Sequence, residues 1–149
     1  MPQEDKELLL KDLCARLPYG VICKDVYAKI EGKLSQIGIN YDMCLLSDDY
    51  GKTEWSYIPN CKPYLFPLSS MTEEQMEELE ELCNMYTPDD DYHPYAYKGI
   101  KVLYKHVLDD NYKFNFKIDV IDWFNKNHFD YRGLIEKGLA IDATGLNIY

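Results

Sequence analysis

Three histidines, His93, His106 and His128, are the side chains of this 149-residue sequence whose ordinary pKa lies near neutrality. A serine or cysteine nucleophile working at neutral pH needs such a base within hydrogen-bonding reach. None of the three sits in a recognisable catalytic motif. His106 falls inside a strand-like run, and His93 precedes Pro94, which biases it toward extended backbone. The sequence therefore points away from an enzyme, and no catalytic residue is assigned.

Asp89, Asp90 and Asp91 with His93 form the one cluster of metal-ligating types. Carboxylates with an imidazole suit a divalent cation, but this spacing matches no calcium loop. Consecutive aspartates after a helix also make an ordinary solvated turn, so neither a metal nor a cofactor is assigned. Anions are usually held by arginine forks or by glycine-rich loops at helix starts. The chain has two arginines, Arg16 and Arg132, and neither a P-loop nor a dinucleotide fingerprint. Both lie beside turn residues. They could hold a small anion such as a nucleotide signal between aromatic walls supplied by Trp55 or Trp123. They could equally pair with the neighbouring acids Asp12 and Asp130.

Charge narrows the partner classes. The formal net charge is −10, and nine acids with no lysine or arginine fall within residues 69–92, so only −1 belongs to the rest of the chain. Glu73, Glu74, Glu77, Glu78, Glu81, Asp89, Asp90 and Asp91 are the candidate partner-binding residues of this patch. A basic protein groove that accepts phosphates is the complementary surface, and a solvated helix face is the plain alternative. Lys98, Lys101, Lys105, Lys113 and Lys117 interleave with Tyr97, Tyr104 and Tyr112 in the manner of a stacking platform. Strand lysines also guard sheet edges, and the adjacent acidic patch opposes a phosphate backbone, so nucleic acid is the weaker reading.

The elements that position these residues follow from periodicity. Leu9, Leu13 and Leu17, with Leu10 and Cys14 beside them, mark an amphipathic helix over residues 5–16, stopped by Pro18 and Gly20. Short strand-like runs follow at residues 21–23, 34–39, 43–46, 54–58 and 64–68, with Asp48–Gly51 supplying turn chemistry between two of them. Thr72 and Gln75 form a capping box, with Met71 and Met76 as its hydrophobic staple. The helix that follows should bury Met76, Leu79, Cys83 and Tyr86 and turn its glutamates outward. A second hairpin is expected from residues 100–108 and 112–118, the latter alternating Tyr112, Phe114, Phe116 and Ile118 with Lys113, Asn115 and Lys117. Asp119 is placed to cap a short helix through Asn127, and Asp130 a further turn ended by Gly138.

These elements predict an α+β fold in one domain: a small antiparallel sheet or partly closed β-barrel, an N-terminal helix, a central capped helix and short C-terminal helices. A subdivision into residues 1–86 and 95–149 is possible at the segment 87–94. The five cysteines, Cys14, Cys23, Cys44, Cys61 and Cys83, are widely spaced with no C-x-x-C, which suggests buried thiols in a reducing compartment. Fourteen tyrosines against five phenylalanines suggest half-buried rings with wet hydroxyls, and a tyrosine-rich contact surface. No apolar run is long enough to span a membrane, and no secretory leader is visible, so a cytoplasmic location is expected.

Three blocks carry a resemblance: residues 8–21 (LLLKDLCARLPYGV), 62–75 (KPYLFPLSSMTEEQ) and 129–140 (FDYRGLIEKGLA). Together they resemble a group of short, uncharacterised proteins that recur in gut anaerobic bacteria and their prophages. In that group an arginine commonly stands where this chain has Phe66, so an anion-binding role at that position does not carry over. The resemblance implies a mobile-element accessory protein that binds a host protein or a signalling molecule without catalysing a reaction.

Overall fold

A computed structural model describes residues 1–84 and 114–149 of the chain, with the side chains of residues 83, 84 and 114–117 left aside. The second-hairpin segment 100–113, the aspartates Asp89, Asp90 and Asp91, and His93 and His106 lie outside the described residues. The fold is α+β, with an N-terminal helix, a six-stranded mixed sheet that is not closed, and further helices. Two compact units divide it, one comprising Met1–Phe66 with Arg132–Tyr149, the other Pro67–Tyr131.

In the first unit, helix α1 (Gln3–Arg16) is followed by a 3-10 turn, Leu17–Tyr19, and a reversal at Gly20 with φ 67°. Proline at the turn and glycine in the left-handed region end the helix as their chemistry dictates. Strands β1 (Ile22–Asp25), β2 (Glu31–Gly38), β3 (Met43–Ser47), β4 (Thr53–Tyr57) and β5 (Cys61–Leu65) follow, then β6 (Ile141–Asp142). The sheet order is β4-β3-β2-β1-β5-β6. Neighbours pair antiparallel except β5 and β6, which run parallel. The strand positions read from the sequence recur within a few residues. The two-residue β6 is new, and it makes the sheet mixed where an antiparallel one was expected. Its hold on the sheet continues through the Ala143 N–H, which donates to Leu65 O at 2.8 Å.

The sheet is strongly curled. Ser56 Oγ on β4 donates to Asp25 Oδ2 on β1 at 2.6 Å, although two strands separate them in the sheet order. In a flat sheet three strand spacings would hold them roughly 14 Å apart. The bond therefore closes with side chains what the backbone leaves open. Inside the curl, Cys23, Leu34, Cys44, Leu46, Cys61 and Leu65 pack against Leu9 and Leu13 of α1 and against Leu134 and Leu139. The expectation of buried, unbridged thiols holds for Cys23, Cys44 and Cys61, while Cys14 is exposed.

In the second unit, α2 (Glu73–Asn84) starts at the capping box. Thr72 Oγ1 accepts the Gln75 N–H at 3.2 Å, and Gln75 Oε1 accepts the Thr72 N–H at 3.0 Å. Leu79 is buried beneath it. Helix α3 (Phe114–Lys126) corrects the sequence reading. Residues 114–118 were expected to be the second arm of a hairpin, and Asp119 a helix cap; both lie inside one helix. Alternation over five residues also fits a helix, since positions 114 and 118 share a helical face, and the stripe continues to Ile121 and Phe124. Lys117 therefore belongs to a helix, not to a basic strand. A glycine-like reversal at His128, φ 59°, ends α3. There the Phe129 N–H reaches Phe124 O and the His128 N–H reaches Asn125 O, which closes the last carbonyls. Among the described residues no helix is long and apolar enough to cross a membrane.

Candidate functional site

Helical spacing puts Leu9, Asp12, Leu13 and Arg16 on one face of α1, and all four are fully buried. A charged side chain enters a core only with a partner, because the desolvation cost is otherwise several kcal/mol. Asp12 supplies it. Its Oδ2 accepts a hydrogen bond from Arg16 Nε at 2.8 Å, and its Oδ1 lies 3.3 Å from Arg132 Nε. The two arginines of the chain thus converge, and the group between them is the chain's own carboxylate. The arrangement ties the segment after Arg132 to α1. Lys137 and Asp5, 3.3 Å apart, add an exposed pair between the same two stretches.

Trp55 and Trp123 are the aromatic walls expected beside these arginines. Trp55 points outward from β4 and is 53% exposed, on the face opposite the core that α1 covers. Trp123 belongs to the second unit. It stacks on Phe129 with ring centroids 5.7 Å apart and planes at 10°, and its Nε1–H reaches Glu78 Oε2 at 3.3 Å. Phe124 and Tyr131 stack beside it, with the Tyr131 hydroxyl bonded to Asn125 Oδ1.

The acidic residues stand as their helix register requires. Glu73, Glu74, Glu77, Glu78 and Glu81 are exposed on α2, and Glu80 is half-buried. The ion pairs among the described residues involve other acids, so no lysine or arginine there neutralises this face. No basic residue stands in the last turn of α2. Five like charges on three helical turns sum to a negative potential along this face.

The sequence reading missed Asp25. Buried to 3% exposure, it accepts hydrogen bonds from Ser56 Oγ and from the Tyr27 and Ala28 N–H groups. Burial opposes its charge, but these donors prevail and hold the carboxyl below its usual range. Asp followed by turn residues was the signal available; its partner Ser56 is 31 residues away. Beside it, the neighbouring thiol and burial push the Cys44 and Cys61 thiols far up, which leaves them protonated and unreactive. A cleft of about 230 Å³ at the sheet rim is lined by Lys29, Glu31, Leu46, Asp48, Lys52 and Glu54 among others. Its charges are largely spent internally: Lys52 pairs with Glu54, Glu31 accepts the Tyr64 hydroxyl at 2.6 Å, and Asp48 holds the Tyr50 and Lys52 N–H groups. Among the described residues no three metal-ligating side chains converge.

Comparison with protein-family models, with curated proteins and with solved structures found no match.

Proposed function

We propose that the protein is a non-enzymatic interaction module that binds a basic protein surface through the acidic face of α2. The observation that carries this reading is the row of exposed glutamates, Glu73, Glu74, Glu77, Glu78 and Glu81, which no lysine or arginine among the described residues neutralises. Their side chains recur at one to two per turn along one helix, a spacing that suits a groove lined with lysine or arginine. The mobile-element setting implied by the sequence blocks belongs to the same proposal, with a host protein as the partner. The acidic face is preferred to an anion site at Arg16 and Arg132 because Asp12 already stands as a counter-charge at the Nε of both guanidinium groups and Arg16 is fully buried.

The test is affinity capture from lysate with the tagged protein and with a Glu73→Lys, Glu77→Lys, Glu81→Lys variant. The proposal expects partners rich in exposed lysine and arginine that vanish with the reversal. Retention of the same partners by the variant removes α2 from the contact.

A further inference from the structure

The interior of the curled sheet brings three thiols together. Cys44 lies opposite Ser56 in the β3–β4 ladder, and Cys61 lies opposite Asp25 in the β1–β5 ladder. Directly opposed residues stand about 4.5–5.5 Å apart at Cβ, and Ser56 and Asp25 are themselves bonded across the interior at 2.6 Å. The two ladders therefore meet there, although Cys44 and Cys61 belong to strands with two others between them in the sheet order. The Cys61 thiol is in hydrogen-bonding contact with those of both Cys44 and Cys23, and all three residues are fully buried in one core cluster. All three thiols are free.

Geometry separates the two pairs that Cys61 could make. Cys23 stands opposite Pro63, two residues from Cys61 along β5. Diagonal neighbours of this kind lie about 7–8 Å apart, beyond the span of about 4.4–6.8 Å between Cα atoms that a disulfide bridges. Cys44 approaches Cys61 from the facing wall of the curl, where no ladder spacing holds the two apart. We propose that Cys44 and Cys61 form a redox-sensitive staple: two thiols in a reducing environment, and a disulfide when the chain folds in contact with a disulfide oxidant.

Oxidised glutathione serves as that oxidant. One cysteine thiolate attacks it, releasing one glutathione thiol and leaving a mixed disulfide; the second thiolate then displaces the other glutathione. One S–S bond forms in the protein and one breaks in glutathione, whose two thiols carry away the two protons and two electrons. Native Cys44 and Cys61 are buried and protonated, so the exchange runs through the unfolded chain and the fold selects the pair that persists. The bond fastens β3 to β5 beside the Ser56–Asp25 bond between β4 and β1. It also closes a loop of roughly 17 residues, which should raise the urea midpoint by roughly 1–2 M through loss of freedom in the unfolded chain. By the same linkage, the disulfide should form roughly 100-fold more favourably in the folded chain than in the unfolded one.

The test is refolding in mixtures of oxidised and reduced glutathione, with alkylation of free thiols and non-reducing peptide mass mapping. The expected product carries the Cys44–Cys61 linkage with Cys14 and Cys23 alkylated, and its urea midpoint exceeds that of the reduced protein. In the same mixtures with denaturing urea, the shorter Cys14–Cys23 loop should be favoured instead. Cys23→Ser should keep the linkage and its stabilisation, whereas Cys61→Ser should lose both; the mapping of the unaltered chain decides the matter even where a variant does not fold. Failure of the folded protein to form a linkage more readily than the urea-unfolded chain overturns the proposal. So does a linkage between any other pair, or a Cys44–Cys61 linkage that leaves the midpoint unchanged or lowers it.

Discussion

Replacing Asp12 with asparagine removes the charge that holds two guanidinium groups while keeping the shape of the side chain. Asp12 and Arg16 are both fully buried, and the side chain of Arg132 is 16% exposed. The substitution removes from the core the carboxylate charge that the Nε groups of both arginines face. Breaking a buried pair from one side costs about 3–5 kcal/mol, a large part of the ~5–15 kcal/mol that stabilises a typical domain. With a urea dependence of about 2 kcal/mol per molar, the unfolding midpoint should fall by roughly 1.5–2.5 M. Lys137→Ala supplies the contrast. It removes an exposed pair with Asp5, worth about 0–1 kcal/mol, so its midpoint should move by at most roughly 0.5 M. Urea titration followed by circular dichroism measures both. If Asp12→Asn shifts the midpoint no more than Lys137→Ala does, the reasoning that the arginines are structural is refuted.

Other consequences are checked as directly. Because Asp25 has a depressed folded pKa, it contributes stability above its unfolded value of about 3.8 that is lost as pH falls through the folded value. Asp25→Asn should therefore flatten the acid limb of stability below about pH 5, and an unaltered limb in thermal melts would contradict it. Gly32→Ala should destabilise by about 1–3 kcal/mol. Its added Cβ would stand 2.6 Å from Ser47 O, a backbone atom that cannot swing aside, and an unchanged melting temperature would contradict it. Iodoacetamide with mass mapping should label Cys14 in the native protein and spare Cys23, Cys44 and Cys61 until it unfolds. Early labelling of any of the three would contradict their placement in the core.

What was legible in the sequence was local. Thr72 and Gln75 are three residues apart, and their reciprocal bonds follow from side-chain chemistry alone. The Asp48–Gly51 turn formed as read: Asp48 Oδ1 holds two N–H groups, and Gly51 takes φ 81°. The outward row of glutamates followed from helical period. Residues 114–118 were misread because five alternating residues satisfy two periods at once, and the length of the apolar stripe beyond them decides for helix. β6 is too short to leave a pattern. Asp12 and Arg16 stand one helical turn apart, so their pairing was among the readings the sequence allowed. The approach of Arg132 to the same carboxylate, and of Ser56 to Asp25, depends on chain reversals and sheet curl that no local window contains.

The claim on which the functional account rests is that negative charge on α2, and not the net charge of the chain, selects the partner. A fluorescent lysine- and arginine-rich helical peptide, titrated by anisotropy, tests it against two variants that each reverse three acids. Glu73→Lys, Glu77→Lys, Glu81→Lys alters α2; Glu4→Lys, Glu7→Lys, Asp49→Lys alters exposed acids of the other unit. The account predicts that the first variant loses binding by at least tenfold while the second keeps it within about threefold, as expected when contact charges and not distant ones set affinity. Equal losses in the two variants would contradict it.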